Sequence, residues 1–572
     1  MYAAGNHVFR SRDEGMSWEE ISPDLSLNDP ARQGPSGGDI TAENAGAEVH
    51  ATCASVVESP HRQGEIWAST DDGLVHVTRD GGESWQNVTP SSMPELAYVG
   101  CVEISAHDAD TIYLAATRYK LADYRPYLFR SSDGGRSFES INGDFPDNEI
   151  TRVVRADPVQ PGLLFVGTET GVFYSLNDGR NWVRMGSGLP VVPVYDLKIK
   201  EADLVAGTHG RSFWILDDIT PLRGLADGNE DCRLFQPRTT VRTKLHFGAL
   251  RSLRPSGIAH ALAPGVAGGI RTFRQPDGSS GREYLDLGEN PPNGAIVYCW
   301  LDEEAAGLVS LAFHDAAGNL IARFCSDDPN LSTAKRPSLR PGLNRFVWDL
   351  KYSGPETLDP ALAPPRNMPL AEPADPPTGP TVVPREYRVE MSTGSETMAA
   401  EFSVVKDPRL YTTPDAYRQQ FDQLRELTAS LGRVNATVNN IRRLKNWLSL
   451  FAGGSQSGAD HLAVPAAAAA QQLAAIEAVL VDVHRESPRD VLRHPAGLND
   501  TLVDLISTVS ISDTAPTKQA AAVAKEIMAR VDAEIGKVDR LVETKIAAIN
   551  RLALDREVAA TGAEVRQSDH EE

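Results

Sequence analysis

The clearest of four repeated segments in this sequence reads Thr78-Arg79-Asp80-Gly81-Gly82-Glu83-Ser84-Trp85. The other copies occupy residues 11–18, 131–138 and 175–182, and all share the pattern Ser/Thr-x-Asp/Asn-x-Gly-x-x-aromatic. Each copy lies between two short alternating apolar runs, which predicts a hairpin turn between two β-strands. An Asp or Asn side chain can close such a turn by accepting a backbone N–H two residues on, and glycine supplies the positive φ.

The repeated positions are therefore predicted to be structural. The aromatic residue begins the next strand and buries its ring beside the hairpin. The pattern resembles the Asp-box, or BNR, repeat of sialidases, sortilin-type receptors and xyloglucanases, and that resemblance implies a β-propeller. The structural positions are Asp13, Gly15, Trp18, Asp80, Gly82, Trp85, Asp133, Gly135, Phe138, Asn177, Gly179 and Trp182.

Length and composition limit the classes of protein and partner. A chain of 572 residues is too long for one ordinary core, so several domains are expected. The net charge of −22 argues against a nucleic-acid or anionic-membrane partner, because both require a basic surface. The five cysteines form no Cys-x-x-Cys, which leaves one distant disulfide open. We predict no metal, no cofactor, no signal peptide and no transmembrane segment.

Residues 1–228 repeat a pattern of strands and turns that predicts propeller blades. The pattern accounts for about four and a half blades. The last repeat lacks a recognisable Asp-box, and Asp217-Asp218 stand where one would begin. An open arc leaves unpaired strand edges, so we expect the chain to be the C-terminal part of a larger propeller protein. The insertion at residues 28–48, with Gly37-Gly38-Asp39, is either a functional loop or a solvated excursion.

Residues 229–408 predict an immunoglobulin-like β-sandwich. A hairpin at residues 309–324 and strands at 342–350 and 385–391 alternate apolar and polar positions. The proline-rich stretch 353–384 cannot donate to a ladder and is expected to be an exposed loop. The hairpin and the strand that follows it are similar to the immunoglobulin-like module of bacterial flagellar-hook-capping and secretion-associated proteins.

Residues 409–558 predict a helical bundle. Thr413-Pro414 supplies a cap and a proline for the first helical position, and apolar residues then recur at steps of three and four. We predict that this helix ends at Gly453-Gly454, that further helices span 465–484 and 500–508, and that Pro516 opens the last. The tail 559–572 is expected to be disordered. The fold is thus mainly β with a helical C-terminus, comprising a partial propeller, a sandwich and a bundle.

The candidate ligand-binding residues lie in the turns between the second and third strands of the repeats. Strands in a blade alternate in direction, so these turns share the face opposite the Asp-boxes, and loops on such a face commonly carry function. A charged rim suits a sugar or a peptide, two carboxylates could hydrolyse a glycoside, and the same residues also suit ordinary turns. The candidates are Asp71, Asp72, Arg118, Glu169, His209 and Arg211.

Several longer segments resemble a large bacterial family labelled glycosyl hydrolase, BNR-repeat or sortilin N-terminal-like. They are residues 36–39, 67–82, 152–158, 207–222 and 495–499. Members typically carry a signal peptide and a longer propeller region, so the resemblance implies an exported parent protein, periplasmic or secreted. Three functions remain open. The chain is an exported propeller that binds a glycan or protein on its loop face, a xyloglucanase-like glycoside hydrolase using Asp71, Asp72 or Glu169, or an inactive fragment.

Overall fold

The computed structural model divides the chain into two compact units, Met1–Asp231 and Cys232–Glu572. It describes residues 1–35, 50–186, 188–226, 232–243, 257–263, 266–274, 280–285, 288, 291–301, 308–329, 331, 335–338, 340–362, 378–394, 396–452, 460–484 and 494–554. Most of the insertion 28–48, part of the proline-rich stretch, Gly453-Gly454 and the tail 559–572 lie outside the described residues. The separation of the second unit into 229–408 and 409–558 stays a prediction.

The first unit is built from five antiparallel sheets, in agreement with the predicted blades. The second, third and fourth sheets each have four strands, and the first and fifth show three in the described residues. Sheet by sheet, the strands are Tyr2–Ala4, Val8–Arg10 and Glu19–Glu20; Cys53–Glu58, Ile66–Thr70, Val75–Thr78 and Gln86–Asn87; Tyr98–Ile104, Ile112–Arg118, Asp123–Ser131 and Glu139–Ser140; Thr151–Ala156, Leu164–Thr168, Val172–Ser175 and Val183–Arg184; and Val194–Lys200, Asp203–Thr208 and Phe213–Leu216.

Three of the four Asp-boxes are closed by the same set of hydrogen bonds, and in the fourth Asn177 Oδ1 accepts the Asn181 N–H while Asn177 Nδ2 donates to Asn181 Oδ1. In the second box Asp80 Oδ1 accepts the Ser84 N–H at 2.9 Å and the Thr78 hydroxyl at 2.7 Å, and Asp80 Oδ2 accepts the Ser84 hydroxyl at 2.5 Å. The Gly82 N–H donates to Thr78 Oγ1 at 2.9 Å. The accepted N–H is thus four residues on, which corrects the predicted two. Hydrogen bonds from Ser137 lower the pKa of the equivalent Asp133 to about 2.

The boxes also join consecutive sheets. The Trp85 indole N–H donates to Ile21 O at 2.7 Å, and the Trp182 indole N–H donates to Ile141 O at 2.9 Å, so each ring binds the end of the preceding sheet. Trp18, in the first box, is 44% exposed, and no described sheet precedes it. The aromatic position of the repeated pattern therefore serves docking between sheets, while its Asp and Gly positions close the turn.

Polar contacts on the turns between the first and second strands add further ties between sheets. The imidazole Nε2 of His61 lies 2.9 Å from Ser105 O, and that of His107 lies 2.9 Å from Asp157 O. Asp157 in turn binds the Arg223 guanidinium at 2.9 Å. Arg223 belongs to helix α1, Thr220–Leu225, which follows the fifth sheet.

Asp217-Asp218, in the repeat that lacks a recognisable Asp-box, lead directly into helix α1. The Asp218 carboxylate is buried, and its Oδ1 accepts the N–H of Thr220 at 3.1 Å and the Thr220 hydroxyl at 2.5 Å. Asp218 thereby closes the turn that enters helix α1 instead of a hairpin.

The second unit begins with strands that form the predicted sandwich. A three-stranded and a five-stranded sheet enclose a core in which Trp348 stacks on Phe313 with ring centroids 4.3 Å apart. The Tyr387 hydroxyl donates to Val383 O at 2.6 Å, four residues upstream, as a tyrosine corner does. The strands are Cys232–Leu234, Ala295–Leu301 and Gly342–Trp348; Thr240–Arg242, Ser310–Asp315, Leu320–Cys325, Arg385–Ser392 and Thr397–Lys406; and, in a separate sheet, Gly257–Ala263, Val266–Arg274 and Ser280–Tyr284.

The C-terminal part is helical, as predicted, although several helix bounds differ. Thr413 caps the first of these helices through a 3.2 Å bond from the Ala416 N–H. The next helix begins at Asp460, before the predicted start at Pro465, and the last begins at Lys518 behind a Thr517 cap rather than at Pro516. The helices are α2 Pro414–Ala452, α3 Asp460–Leu480, α4 Leu498–Ser510, α5 Lys518–Leu541, a π-turn Val542–Ile546 and α6 Ala547–Leu554.

Helix α3 is long and apolar enough, over His461–Leu480, to pass a length-and-hydropathy test for a membrane span. The sequence analysis predicted no transmembrane segment, whereas this helix meets the criterion by length and composition. The core helix of a soluble protein passes the same test, and Leu462, Leu473 and Leu480 pack into the helical core. Glu477 of this helix is also buried and accepts bonds from Arg442 and Lys445 at 2.8 Å each.

Candidate functional site

A cleft in the first unit brings together two of the candidate residues, Asp71 and Arg118. Its volume is about 190 Å³, and we call it the loop-face cleft. Asp71 Oδ1 accepts the Thr52 N–H at 2.8 Å, and Asp71 Oδ2 lies 3.4 Å from His50 Nδ1. Arg118 Nε donates to Glu95 O at 2.9 Å. The cleft is lined by Arg32, His50, Asp71, Leu96, Tyr98, Thr117, Arg118, Tyr119, Lys120 and Leu121.

Asp72 does not belong to this surface, which corrects its place among the candidates. It is 1% exposed, and its two carboxylate oxygens bind groups of the chain itself. Oδ1 accepts the Thr70 hydroxyl at 2.5 Å and Oδ2 accepts the Leu27 N–H at 2.8 Å. These bonds fix the turn and attach the segment after the first sheet, so Asp72 is a structural residue here.

A row of stacked side chains continues from the cleft toward the fifth sheet. The Arg152 guanidinium lies over the Tyr119 ring at 4.4 Å and over the Tyr195 ring at 4.6 Å. Glu169 accepts from Arg152 Nη2 at 2.6 Å and from Nε at 3.1 Å, and His209 stacks on Tyr195 with centroids 4.9 Å apart. We call these five residues the arginine–tyrosine row. Two more candidates, Glu169 and His209, therefore belong to one connected surface with the cleft.

Arg211 is not brought into this row by any contact that the structure shows. Its side chain is exposed, and its carbonyl accepts the Trp214 indole N–H at 2.9 Å. The candidate set thus separates into Asp71, Arg118, Glu169 and His209 on the connected surface, the buried Asp72, and Arg211 apart from it.

A repeated β-bulge explains why Arg152 and Tyr195 share the row. The first strand of each of the last four sheets shifts register once, between Cys53 and Ser55, Val99 and Cys101, Thr151 and Val153, and Val194 and Asp196. A bulge leaves one residue unpaired and re-aims its side chain. The unpaired residues occupy one equivalent position and are Ala54, Gly100, Arg152 and Tyr195.

The bulge position also accounts for Gly100. A β-carbon at Gly100 would lie 2.8 Å from the edge of the Tyr98 ring, so glycine leaves room for that ring beside the cleft. The sequence-based search concentrated on turns and missed Tyr98, Arg152 and Tyr195, which lie on first strands. An alignment of the repeats at the start of each first strand could have identified them.

A second polar layer links the first strands of the third, fourth and fifth sheets. Arg155 of the fourth sheet binds Glu103 of the third sheet at 3.2 Å and Asp196 of the fifth at 2.7 Å. Burial raises the pKa of Glu103, against the opposing effect of the Arg155 charge. One guanidinium thus ties three sheets together through two carboxylates.

This layer predicts a specific pH dependence of stability. The pKa of Glu103 is higher in the folded chain than in the unfolded chain, where it is near 4.3. The contribution of Glu103 to stability is therefore fully present below pH ~4.3, and it is lost as the pH rises through the folded-state pKa. We therefore expect Glu103→Gln to unfold with a weaker pH dependence above pH ~4.3 than the native chain. Urea unfolding followed across that range measures the difference. An unchanged pH profile in the variant would contradict the assignment.

The carboxylates at and near the cleft all contact groups of their own chain. Among the described residues, no group of three or more His, Cys, Asp or Glu side chains is placed to hold a metal ion. Of the three carboxylates considered for hydrolysis, Asp72 is buried, Glu169 accepts two hydrogen bonds from Arg152 through Oε2, and Asp71 is held by Thr52 and His50. What remains accessible is an aromatic and cationic surface beside a small cleft.

Comparison with solved structures returns β-propeller proteins. The chain is similar to YCF48 from Cyanidioschyzon merolae, with 19% identity over 29% of this chain and 53% of that one and a TM-score of 0.22. It is also similar to YCF48 bound to D1 peptide, with 16% identity over 52% and 92% and a TM-score of 0.23. The GH74 xyloglucanase from Xanthomonas campestris matches with 15% identity over 72% and 78% and a TM-score of 0.30.

The match thus spans about half of the first of these structures. No family model matches the chain, and no curated protein matches it. The chain's relation to the family that its sequence resembles stays a resemblance, and no residue role is transferred from these proteins.

Proposed function

We propose that the first unit is a binding module that holds a glycan or a protein ligand on the loop-face cleft and the arginine–tyrosine row. The observation that carries this proposal is the cleft itself, which gathers Asp71 and Arg118 with the rings of Tyr98 and Tyr119. Aromatic rings beside fixed polar groups are the usual composition of a ligand site. At about 190 Å³ the cleft is smaller than a typical drug-sized pocket, so it suits one sugar residue or one side chain of a longer ligand.

The second candidate function is a glycoside hydrolase, which would also bind a glycan. It would need two carboxylates facing one cleft, one of them free to protonate the leaving group. The contacts of Asp71, Asp72 and Glu169 with their own chain support binding better than hydrolysis. The third alternative, an inactive fragment of a larger propeller protein, predicts no binding at all.

The test is retention of the full chain on a panel of plant and bacterial polysaccharides and on a peptide array. We expect Tyr119→Ala and Arg118→Ala to weaken binding to the retained ligand by about tenfold, since aromatic and arginine side chains dominate binding energies. Arg136→Ala is the matched control, because Arg136 is an exposed arginine within an Asp-box. Equal binding by all three variants would overturn the proposed site.

Reducing-sugar release in the same samples separates the alternatives. Release that Asp71→Asn and Glu169→Gln both abolish, with folding intact, would replace the binding proposal with the hydrolase. We place this function outside the cytoplasm as part of the proposal, on the strength of the sequence resemblance. Fractionation of native cells with an antibody to the chain tests that location, and a cytoplasmic signal would contradict it.

A further inference from the structure

The fifth sheet of the first unit leaves its outer edge open. In the described residues it has three strands, the last of which is Phe213–Leu216, whereas the other four sheets all end in a two-residue strand that follows an Asp-box. The chain after Phe213–Leu216 enters helix α1. Phe213–Leu216 is therefore an edge strand, and such a strand presents backbone N–H and C=O groups to any chain that can pair with it.

The strand registers establish which residues of the sheets are equivalent to Phe213. Phe213 pairs with Gly207 on the second strand, and Gly207 pairs with Asp196, the residue directly after the bulge position. The same two pairings in the second, third and fourth sheets lead from the residue after the bulge to Val75, Leu128 and Val172. These four residues therefore occupy one position of the repeat.

In the three preceding sheets the backbone carbonyl at this position is paired. It accepts an N–H from just after the fourth strand at 2.8 to 3.0 Å, and the acceptor and donor residues are Val75 and Val88, Leu128 and Ile141, and Val172 and Met185. The Thr208 N–H donates to Ser212 O, so the groups of the next residue, Phe213, face away from the second strand. No donor within the described part of the chain reaches Phe213 O.

The side chain at this position is also uncovered in the fifth sheet alone of these four. Val75, Leu128 and Val172 are at most 2% exposed, because they pack into cores that include the following sheet. Phe213 is 79% exposed, and Ile215 on the same face of the strand is 60% exposed. Both the backbone edge and the apolar face beside it are therefore open.

The edge strand lacks the features with which proteins commonly block strand pairing. Charged residues, prolines and bulges are the usual devices. The strand Phe213–Leu216 reads Phe-Trp-Ile-Leu, and it pairs with the second strand without a shift in register. A regular, apolar and exposed strand edge is the type of surface to which an extended chain segment adds.

The fourth sheet supplies the template for that segment, because an aromatic residue also lies in the middle of its third strand. The segment there is Val183, Arg184 and Met185, of which Met185 supplies the N–H described above. Val183 pairs with Tyr174, and the Arg184 guanidinium lies 5.7 Å from the Phe173 ring centroid. The order of side chains along the added strand is thus apolar, basic, apolar.

We propose that the edge strand Phe213–Leu216 binds an extended segment of a partner protein, with side chains in the order apolar, basic, apolar. The segment adds a fourth strand to the fifth sheet. Its first residue pairs with Ile215, its basic side chain lies over the Trp214 ring, and the N–H of its last residue donates to Phe213 O. This surface is separate from the loop-face cleft, and the inference does not depend on the proposed function.

The probe is a fluorescein-labelled peptide with the sequence of residues 179–186, Gly-Arg-Asn-Trp-Val-Arg-Met-Gly, titrated with the full chain by fluorescence polarisation. We expect saturable binding. N-methylation at the Met185 position of the peptide should weaken binding by about tenfold, because it removes the N–H that donates to Phe213 O. N-methylation at the Arg184 position is the matched control, since that N–H points away from the edge.

Substitutions in the protein test the same contact from the other side. Ile215→Pro removes an N–H of the open edge, which edge strands tolerate, and is expected to weaken binding more than tenfold. Phe213→Ala is expected to weaken it about fivefold through the lost apolar contact. Val159→Ala is the matched control, because Val159 is an apolar residue of the first unit that is 61% exposed, and it should bind as the native chain does.

The outcomes each decide the proposal. Absence of saturable binding, or equal binding of the two N-methylated peptides, overturns it. Loss of peptide binding in Arg118→Ala but not in Phe213→Ala places the peptide in the loop-face cleft and also overturns it. A dimer in sedimentation that Ile215→Pro dissociates overturns it in favour of a second copy of the chain on this edge. If Ile215→Pro does not fold, Phe213→Ala against Val159→Ala decides alone.

Discussion

Gly82→Ala is expected to lower the local stability of the second propeller sheet by about 3 kcal/mol, since overpacking and left-handed strain add. Gly82 has φ at +106°, and a β-carbon there would lie 2.5 Å from Ile21 O and 2.8 Å from Ile21 Cβ. Ile21 O is a backbone atom that accepts the Trp85 indole N–H, so it cannot move away without breaking the bond between the sheets. Hydrogen exchange of Val75–Thr78 and Gln86–Asn87 measures the loss.

The first Asp-box supplies a matched control. Gly15 has φ at +90°, but the nearest atom to its added β-carbon is in the Trp18 ring at 3.7 Å. Gly15→Ala should therefore cost only the backbone strain, about 1 kcal/mol. Equal losses in the two variants would show that the positive φ, and not the contact with the preceding sheet, sets the cost.

Asp513→Asn is expected to destabilise the second unit by about 3 kcal/mol, because it leaves a buried guanidinium without its counter-ion. Arg242 Nη2 lies 2.7 Å from Asp513 Oδ1, with the two side chains 3% and 1% exposed. Arg242 comes from a sandwich strand, and it also donates to Val382 O at 2.7 Å and lies 4.8 Å from the Tyr417 ring centroid. The pair thus holds the helices against the sandwich, and urea unfolding of the full chain measures its loss.

An exposed ion pair of the same helical region is the control. Arg418 and Asp415 lie 3.2 Å apart with side chains 68% and 77% exposed. Asp415→Asn should change the free energy of unfolding by less than about 0.5 kcal/mol. The double variant Arg242→Met with Asp513→Leu should regain much of the loss, because apolar residues can replace a buried pair. A loss in Asp513→Asn no larger than in Asp415→Asn would contradict the assigned role.

The fold class and the blades could be predicted from short stretches of the sequence. Asp80, Gly82 and Trp85 recur at fixed offsets because the turn chemistry is local, and local chemistry can be recognised in one stretch of chain. The helix that contains Tyr417 and Leu448 could also be predicted, because apolar residues at steps of three and four indicate one buried helix face. The last repeat lacks a recognisable Asp-box in the sequence, and in the structure Asp218 closes a turn that enters a helix.

Which of the candidate residues come together depends on contacts between distant parts of the chain. Asp71 and Asp72 are neighbours in sequence, yet Asp71 lines the cleft and Asp72 is buried. Asp72 accepts a hydrogen bond from the Leu27 N–H, which is 45 residues earlier in the sequence. Arg152 and Tyr195 meet because equivalent bulges on adjacent sheets point their side chains at one another. Contacts between residues that are distant in sequence depend on how the sheets pack against one another. That packing involves the whole folded chain, so it cannot be predicted from one short stretch of sequence.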